Sequence, residues 1–134
     1  MTTYVDSSVL LKRYVEETDS ERADELLRSD AVLVTSWITT VEVRRNLARL
    51  VAPNEMAAMR RQLNADFDAM ALVAADQAVC EAAAEIAEHL GVRSLDAVHL
   101  ASGQRLGVPG LVFLTFDLRQ AQAARTLGFT VLGA

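Results

Sequence analysis

The sequence predicts one α/β domain over residues 1–134, built on a mostly parallel central sheet flanked by helices. Three observations carry the prediction. Short apolar runs at positions 3–5, 31–35, 71–74, 111–115 and 129–132 alternate with stretches of helical periodicity. Two of those runs, AVLVT and LVFLT, are rich in β-branched and aliphatic residues without polar alternation, as strands covered on both faces are. The length of 134 residues suits a single core, and no linker, internal repeat or low-complexity block interrupts it.

Each element has its own signal. Residues 3–5 form a strand that runs into Asp6, and residues 8–14 continue as a helix. In EETDSERADELL, Ser20 is placed to cap a second helix with Ala23, Leu26 and Leu27 on one face; its acids read as a solvated surface. AVLVT is the second strand. A third helix is expected to begin near Thr39 or Thr40, with Ile38, Val41, Leu47 and Leu50 as its apolar residues, and to stop before Pro53. Asn54 can cap a fourth helix, where Met56, Met59, Leu63, Phe67 and Met70 make a stripe for core or dimer contact. ALVA, at 71–74, reads as a short edge strand. Asp76 caps a fifth helix that carries Val79, Ile86 and Leu90 and is closed by Gly91. Ser94 to Leu106 form a sixth helix, ended by Gly107 and Pro109. LVFLT is the clearest strand; Asp117 follows it, then a helix from Leu118 to Leu127 stopped by Gly128, and FTVL is a last strand.

Composition narrows the function classes. A net charge of −5 argues against nucleic-acid binding through charge alone. It does not exclude a nuclease, because a metal ion supplies positive charge where it is needed. The single cysteine, Cys80, rules out an intramolecular disulfide, suits a reducing cytosol and is expected to be a buried, inert thiol. No signal-peptide pattern and no apolar run of membrane-spanning length is present, so a soluble, cytoplasmic protein is expected.

The candidate site lies in four acids. Ligands of an open parallel sheet bind beyond the carboxyl ends of its strands. Asp6 stands at that end of the first strand and Asp117 just past that end of LVFLT, while Glu42 and Asp96 fall in the early turns of the third and sixth helices. Each has a plainer reading. Acids near helix N-termini complement the macrodipole, Asp117 could cap the helix from Leu118, and Asp6 could cap the helix near Ser8. Ser7 or Ser8 would cap equally well without placing a charge at the sheet's edge. Two like charges about 4 Å apart repel by about 4 kcal/mol at an effective dielectric near 20, so four converging acids must take up protons or hold a cation. A carboxylate set without Cys or His suits Mg²⁺ or Mn²⁺ over zinc.

Four stretches, YVDSSVLLKRY, TSWITTVEVRRNLARL, LDAVHLASGQRLG and LVFLTFDLRQAQAARTLGFTVL, together resemble the PIN-domain family and, within it, the VapC-type ribonuclease toxins of toxin–antitoxin pairs. The resemblance spans nearly the whole chain in the family's order. It implies a PIN-like three-layer fold and a Mg²⁺- or Mn²⁺-dependent endoribonuclease that is usually a homodimer. It also implies inhibition by a cognate antitoxin lying across the acidic crevice. The family's four acids fall on Asp6, Glu42, Asp96 and Asp117, with Asp117 in the most variable region. Metal-assisted phosphodiester hydrolysis follows, with Asp6, Asp96 and Asp117 as ligands and Glu42 as a ligand or as the group orienting the attacking water.

Around the acids, Ser7 and Thr115 could hydrogen-bond a carboxylate or a phosphate, or serve only as turn hydroxyls. Arg13, Arg44, Arg45, Arg49 and Arg119 could hold RNA phosphates, or be ordinary surface residues. His99, three residues after Asp96, could complete an Asp-x-x-His transition-metal pair; packing behind the site is the preferred reading. His89 has a helix-dipole explanation. Aromatic residues make up only 5% of the chain, too few for an extended base-stacking platform. Two rival functions stand beside this one. An aspartyl-phosphate mechanism with Asp6 as nucleophile lacks the second acid of Asp-x-Asp and a later lysine. A non-catalytic module would use the same acids to grip a basic peptide.

Overall fold

The structure, a computed structural model, describes residues 2–29 and 32–134. Among them the elements run β1 (Thr2–Val5), α1 (Ser7–Tyr14), α2 (Ser20–Arg28), β2 (Val32–Ser36) and α3 (Trp37–Leu50). A 3₁₀ turn (Pro53–Glu55), α4 (Met56–Asp68), β3 (Ala71–Val73), α5 (Gln77–Leu90) and α6 (Ser94–Arg105) follow. The chain ends with β4 (Val112–Thr115), α7 (Leu118–Thr126) and β5 (Thr130–Gly133).

All the strand pairs are parallel, in the order β3-β2-β1-β4-β5. Successive side chains on a strand point to opposite faces, and that alternation sorts the core into two halves. Tyr4, Val34 and Phe113 face one side and pack with α5, α6 and α7. Val5 and Leu114 face the other and pack with α1, α2, α3 and α4. Tyr4 and Phe113 are register partners on neighbouring strands, and their rings stack with centroids 5.1 Å apart. The result is the expected three-layer arrangement of helices, sheet and helices.

The strand order places the site. From β1 the chain adds β2 and then β3 on one side, and later crosses to put β4 and β5 on the other. The direction of winding therefore reverses between β1 and β4, and a crevice opens beyond their carboxyl ends. Asp6 directly follows β1, and Asp117 lies two residues past β4. The last strand closes tightly on this edge: the Ala134 amide donates to the Thr115 carbonyl at 2.8 Å. Gly133 has φ 104°, and a Cβ there would overlap that same carbonyl. No other residue fits the turn without strain.

Several local readings need correction. Helix α3 begins at Trp37, capped by the Ser36 hydroxyl on the Ile38 amide, two residues before the expected start. Its core face is Val43 and Leu47, whereas Val41 and Leu50 are exposed. Asn54 caps nothing, because Pro53–Glu55 form a 3₁₀ turn instead and α4 starts without a side-chain cap. Ser20 is the first residue of α2; its hydroxyl accepts from Glu17 at 2.8 Å and donates to Val15 O. Cys80 is exposed, since the inward positions of α5 are Val79, Ala83 and Ile86. Residue 31 of the expected second strand lies outside the described residues. Asp76 and Gly91 perform as read: the Asp76 carboxylate accepts from Val79 N at 3.0 Å, and Gly91 closes α5 at φ 68°. Among the described residues, no helix is long and apolar enough to cross a membrane.

Candidate active site at the sheet's switch point

Asp6 is the most constrained of the four acids. It is 4% exposed, and its own amide donates to Leu114 O, which ties it to β4. One carboxylate oxygen accepts from the Ser8 amide at 3.0 Å and from the Ser8 hydroxyl at 2.5 Å. Asp6 is thus the N-cap of α1, with backbone angles of −86° and 170°. Burial pushes its carboxyl group above the usual range, against the opposing hydrogen bonds of the Ser8 and Thr115 hydroxyls. The hydroxyl that serves it directly is Ser8, where the sequence had suggested Ser7. Ahead of it, the Thr35 hydroxyl donates to Val5 O at 2.6 Å and lies 2.6 Å from the Thr39 hydroxyl, so buried threonines grip the strand end carrying Asp6.

The neighbouring turn is wired to the same point. The Ser8 hydroxyl accepts from Phe116 N at 3.0 Å and lies 3.4 Å from the Thr115 hydroxyl, which itself accepts from Asp117 N at 3.1 Å. Asp117 caps α7, its Oδ1 accepting from the amides of Arg119 and Gln120 at 2.9 and 3.1 Å. The side-chain amide of buried Gln120 then donates to Asp96 O at 3.0 Å and fixes α6 against α7. Asp96 lies in the first turn of α6. A single guanidinium joins the two acids: Arg93 reaches Asp96 Oδ2 at 3.1 Å and Asp117 Oδ2 at 3.4 Å. The Asp96 carboxylate holds the Arg93 pKa up.

Glu42 arrives from the opposite helical layer. Its Oε1 lies 2.6 Å from His99 Nε2, while His99 Nδ1 lies 2.7 Å from the Tyr4 hydroxyl. His99 is 1% exposed and sits behind the acids, as preferred from the sequence. Among the described residues, no group of three or more His, Cys, Asp and Glu side chains is gathered closely enough, as placed, to hold a metal ion. Arg93 accounts for two of the acids, and Ser8 and His99 each occupy an oxygen of the others. The donor chemistry nonetheless fits a hard cation. The set is carboxylate and hydroxyl, the buried Asp6 calls for neutralisation, and Arg93, 74% exposed, is readily displaced.

The remaining predicted residues divide. Arg119 lines a cleft of about 470 Å³ beside the acids, together with Arg93, Asp96 and Gln122. Arg44, Arg45 and Arg49 are exposed on α3. Arg13 is not brought to the acids: in the last turn of α1 it forms a two-pronged pair with Asp66 of α4, at 2.9 and 3.2 Å. The Tyr14 hydroxyl donates to the same carboxylate. Arg93, Tyr4, Thr35 and Gln120 were not singled out from the sequence, and Ser8 was weighed there only as a helix cap. Arg93 alone had a usable signal, a base three residues before an acid at a helix start.

The fold and the crevice define a parallel α/β protein with carboxylates gathered about the switch point of its sheet. The chain belongs to the PIN domain family, which matches residues 3–126. It is 34% identical over 129 residues to Ribonuclease VapC46 of Mycobacterium tuberculosis, covering 96% of this chain and 95% of that protein. The fold is shared with the crystal structure of Mycobacterium tuberculosis VapC20, described as a sarcin-ricin-loop-cleaving toxin. The TM-score is 0.75 at 18% identity, over 98% of both chains. It is also shared with a toxin–antitoxin complex from Klebsiella pneumoniae, with a TM-score of 0.67 at 16% identity over 86% of each chain.

Proposed function

We propose that this PIN domain is an endoribonuclease dependent on Mg²⁺ or Mn²⁺, and the toxin of a toxin–antitoxin pair. The observation that carries the reading is the buried Asp6 at the β1/β4 switch point, wired through Ser8 and Thr115 to the turn bearing Asp117. Relatives named as VapC ribonucleases support the substrate class. A toxin–antitoxin complex of the same fold supports a cognate antitoxin. A homodimer rests on the family resemblance alone.

Asp6, Asp96 and Asp117 would hold the cation, with Glu42 beside them. When bound there, such an ion neutralises charge on the phosphodiester and makes a water easier to deprotonate. The protein's own contributions are positional. Ser8 and Thr115 fix Asp6, Gln120 keeps Asp96 in register with Asp117, and Glu42 orients the attacking water. Arg93 and Arg119 meet the RNA phosphates along the cleft once Arg93 leaves the acids.

The deciding assay is cleavage of structured RNAs by the purified protein with Mg²⁺ or Mn²⁺. Cleavage should vanish in EDTA and fall by at least about 100-fold in Asp6→Asn and Asp96→Asn, with circular dichroism unchanged. Equal cleavage by wild type and both variants would sink the proposal. A small open reading frame should lie beside this gene, its product should copurify with this protein and suppress the activity, and the mass of the free protein in solution should be that of a dimer.

A further inference from the structure

The chain Tyr4–His99–Glu42 runs from the centre of the core to the mouth of the crevice. Tyr4 is fully buried in β1 and stacked on Phe113. His99 is buried on α6, and only the Glu42 end of the chain reaches water, its side chain 19% exposed. The two links join residues 95 and 57 positions apart. The first ties the strand that ends in Asp6 to α6. The second ties α6 to α3, so it reaches across the sheet's edge from one helical layer to the other.

The protons along this chain can be assigned. A tyrosine phenol carries its proton at neutral pH. That hydroxyl lies 2.7 Å from His99 Nδ1. Tyr4 therefore donates to His99 Nδ1. With Nδ1 accepting, the imidazole carries its proton on Nε2, and Nε2–H donates to Glu42 Oε1. One oxygen of Glu42 is thereby fixed and the other is left for the reaction. A histidine serving the core alone has no need of an acid from the site, and among the described residues His99 is the hydrogen-bond partner that restrains the Glu42 carboxylate on its two flexible methylenes.

Resting on the ribonuclease reading above, we propose that His99 is a positioning residue for Glu42 and that Tyr4 selects the imidazole tautomer that makes it one. Partners that orient a functional carboxylate or ligand typically contribute about 10- to 100-fold. The test uses the full chain, with wild type, His99→Leu, His99→Gln and Tyr4→Phe compared on RNA in Mn²⁺. Long-range ¹⁵N–¹H NMR of the imidazole is recorded without metal. His99→Leu should lower kcat by about 10- to 100-fold with KM within about twofold. His99→Gln, whose amide N–H falls near the former Nε2, should recover most of the loss. Tyr4→Phe should lie between, and its spectrum should show mixed tautomers where wild type shows Nε2–H alone.

A folded His99→Leu variant with wild-type kcat overturns the proposal, as does a wild-type spectrum with the proton on Nδ1. If His99→Leu does not fold, His99→Gln and Tyr4→Phe decide it, because each preserves the volume of the core. Should wild type cut no RNA with either ion, the ribonuclease reading itself falls. A wild type that cuts RNA while its His99 variants match it sinks only the positioning role.

Discussion

Asp6 holds two opposed requirements in one side chain. Ionised, it can serve a cation; buried, it is driven to keep its proton. The consequence for stability has a definite sign. The folded protein binds a proton at Asp6 up to a higher pH than the unfolded chain, whose value is near 3.8. As pH rises from there, the native state loses a proton it favours, and stability falls. Asp6→Asn removes that decline while its amide oxygen can still cap α1. Calorimetry between pH 4 and 8 should therefore show a higher Tm for Asp6→Asn at pH 7 and a flatter pH profile. The difference is measurable, since about 1 kcal/mol moves the Tm of a domain of this size by about 4 °C. Addition of Mn²⁺ should raise the Tm of wild type and leave that of Asp6→Asn nearly unchanged.

At the level of elements, Asp117 does two things that substitution can separate. As N-cap of α7 it satisfies two backbone amides, and loss of such a cap costs about 1 kcal/mol. As an acid facing Arg93 it belongs to the crevice. Asp117→Ser keeps capping chemistry and removes the charge, whereas Asp117→Ala removes both. Chemical denaturation should place Asp117→Ser within about 0.5 kcal/mol of wild type and Asp117→Ala about 1 kcal/mol below it. Both should lose RNA cleavage. An active Asp117→Ser would reduce Asp117 to a cap.

Elements of this kind were legible in the sequence because their causes are local. Asp76 three residues before Val79, and Gly91 after an apolar helix, state their roles within one turn. The start of α3 was misplaced for a local reason too. Thr39 looks like a cap, but its hydroxyl turns inward to Thr35, and Ser36 caps instead. Cys80 was misread because one helical position separates it from buried Val79. The contacts that organise the site were not legible. Tyr4 meets His99, and His99 meets Glu42, only after the sheet has brought distant segments together. A spacing along the chain has no way to show that. Arg13 looked available beside the first acid, yet Asp66 of a later helix claims it.

Across the whole molecule, the order β3-β2-β1-β4-β5 turns a linear scatter of acids into a single neighbourhood. Two helical layers that share no direct core meet over it through Glu42 and His99. The Arg93 bridge between Asp96 and Asp117 gives the neighbourhood an internal counter-charge on an exposed arm. Removing that arm in Arg93→Ala should lower the Mn²⁺ concentration for half-maximal binding, read by calorimetric titration, by about two- to fivefold, the scale of exposed ion pairs. An unchanged titration would show that Arg93 does not compete.

The same bridge implies a threshold. With Arg93 folded over two carboxylates, the site at rest would have little appetite for stray divalent ions at trace levels. On the reading proposed above, catalysis would then switch on over a range set by how hard one guanidinium must be pushed aside, so a single surface side chain would set the divalent-ion level to which the site responds.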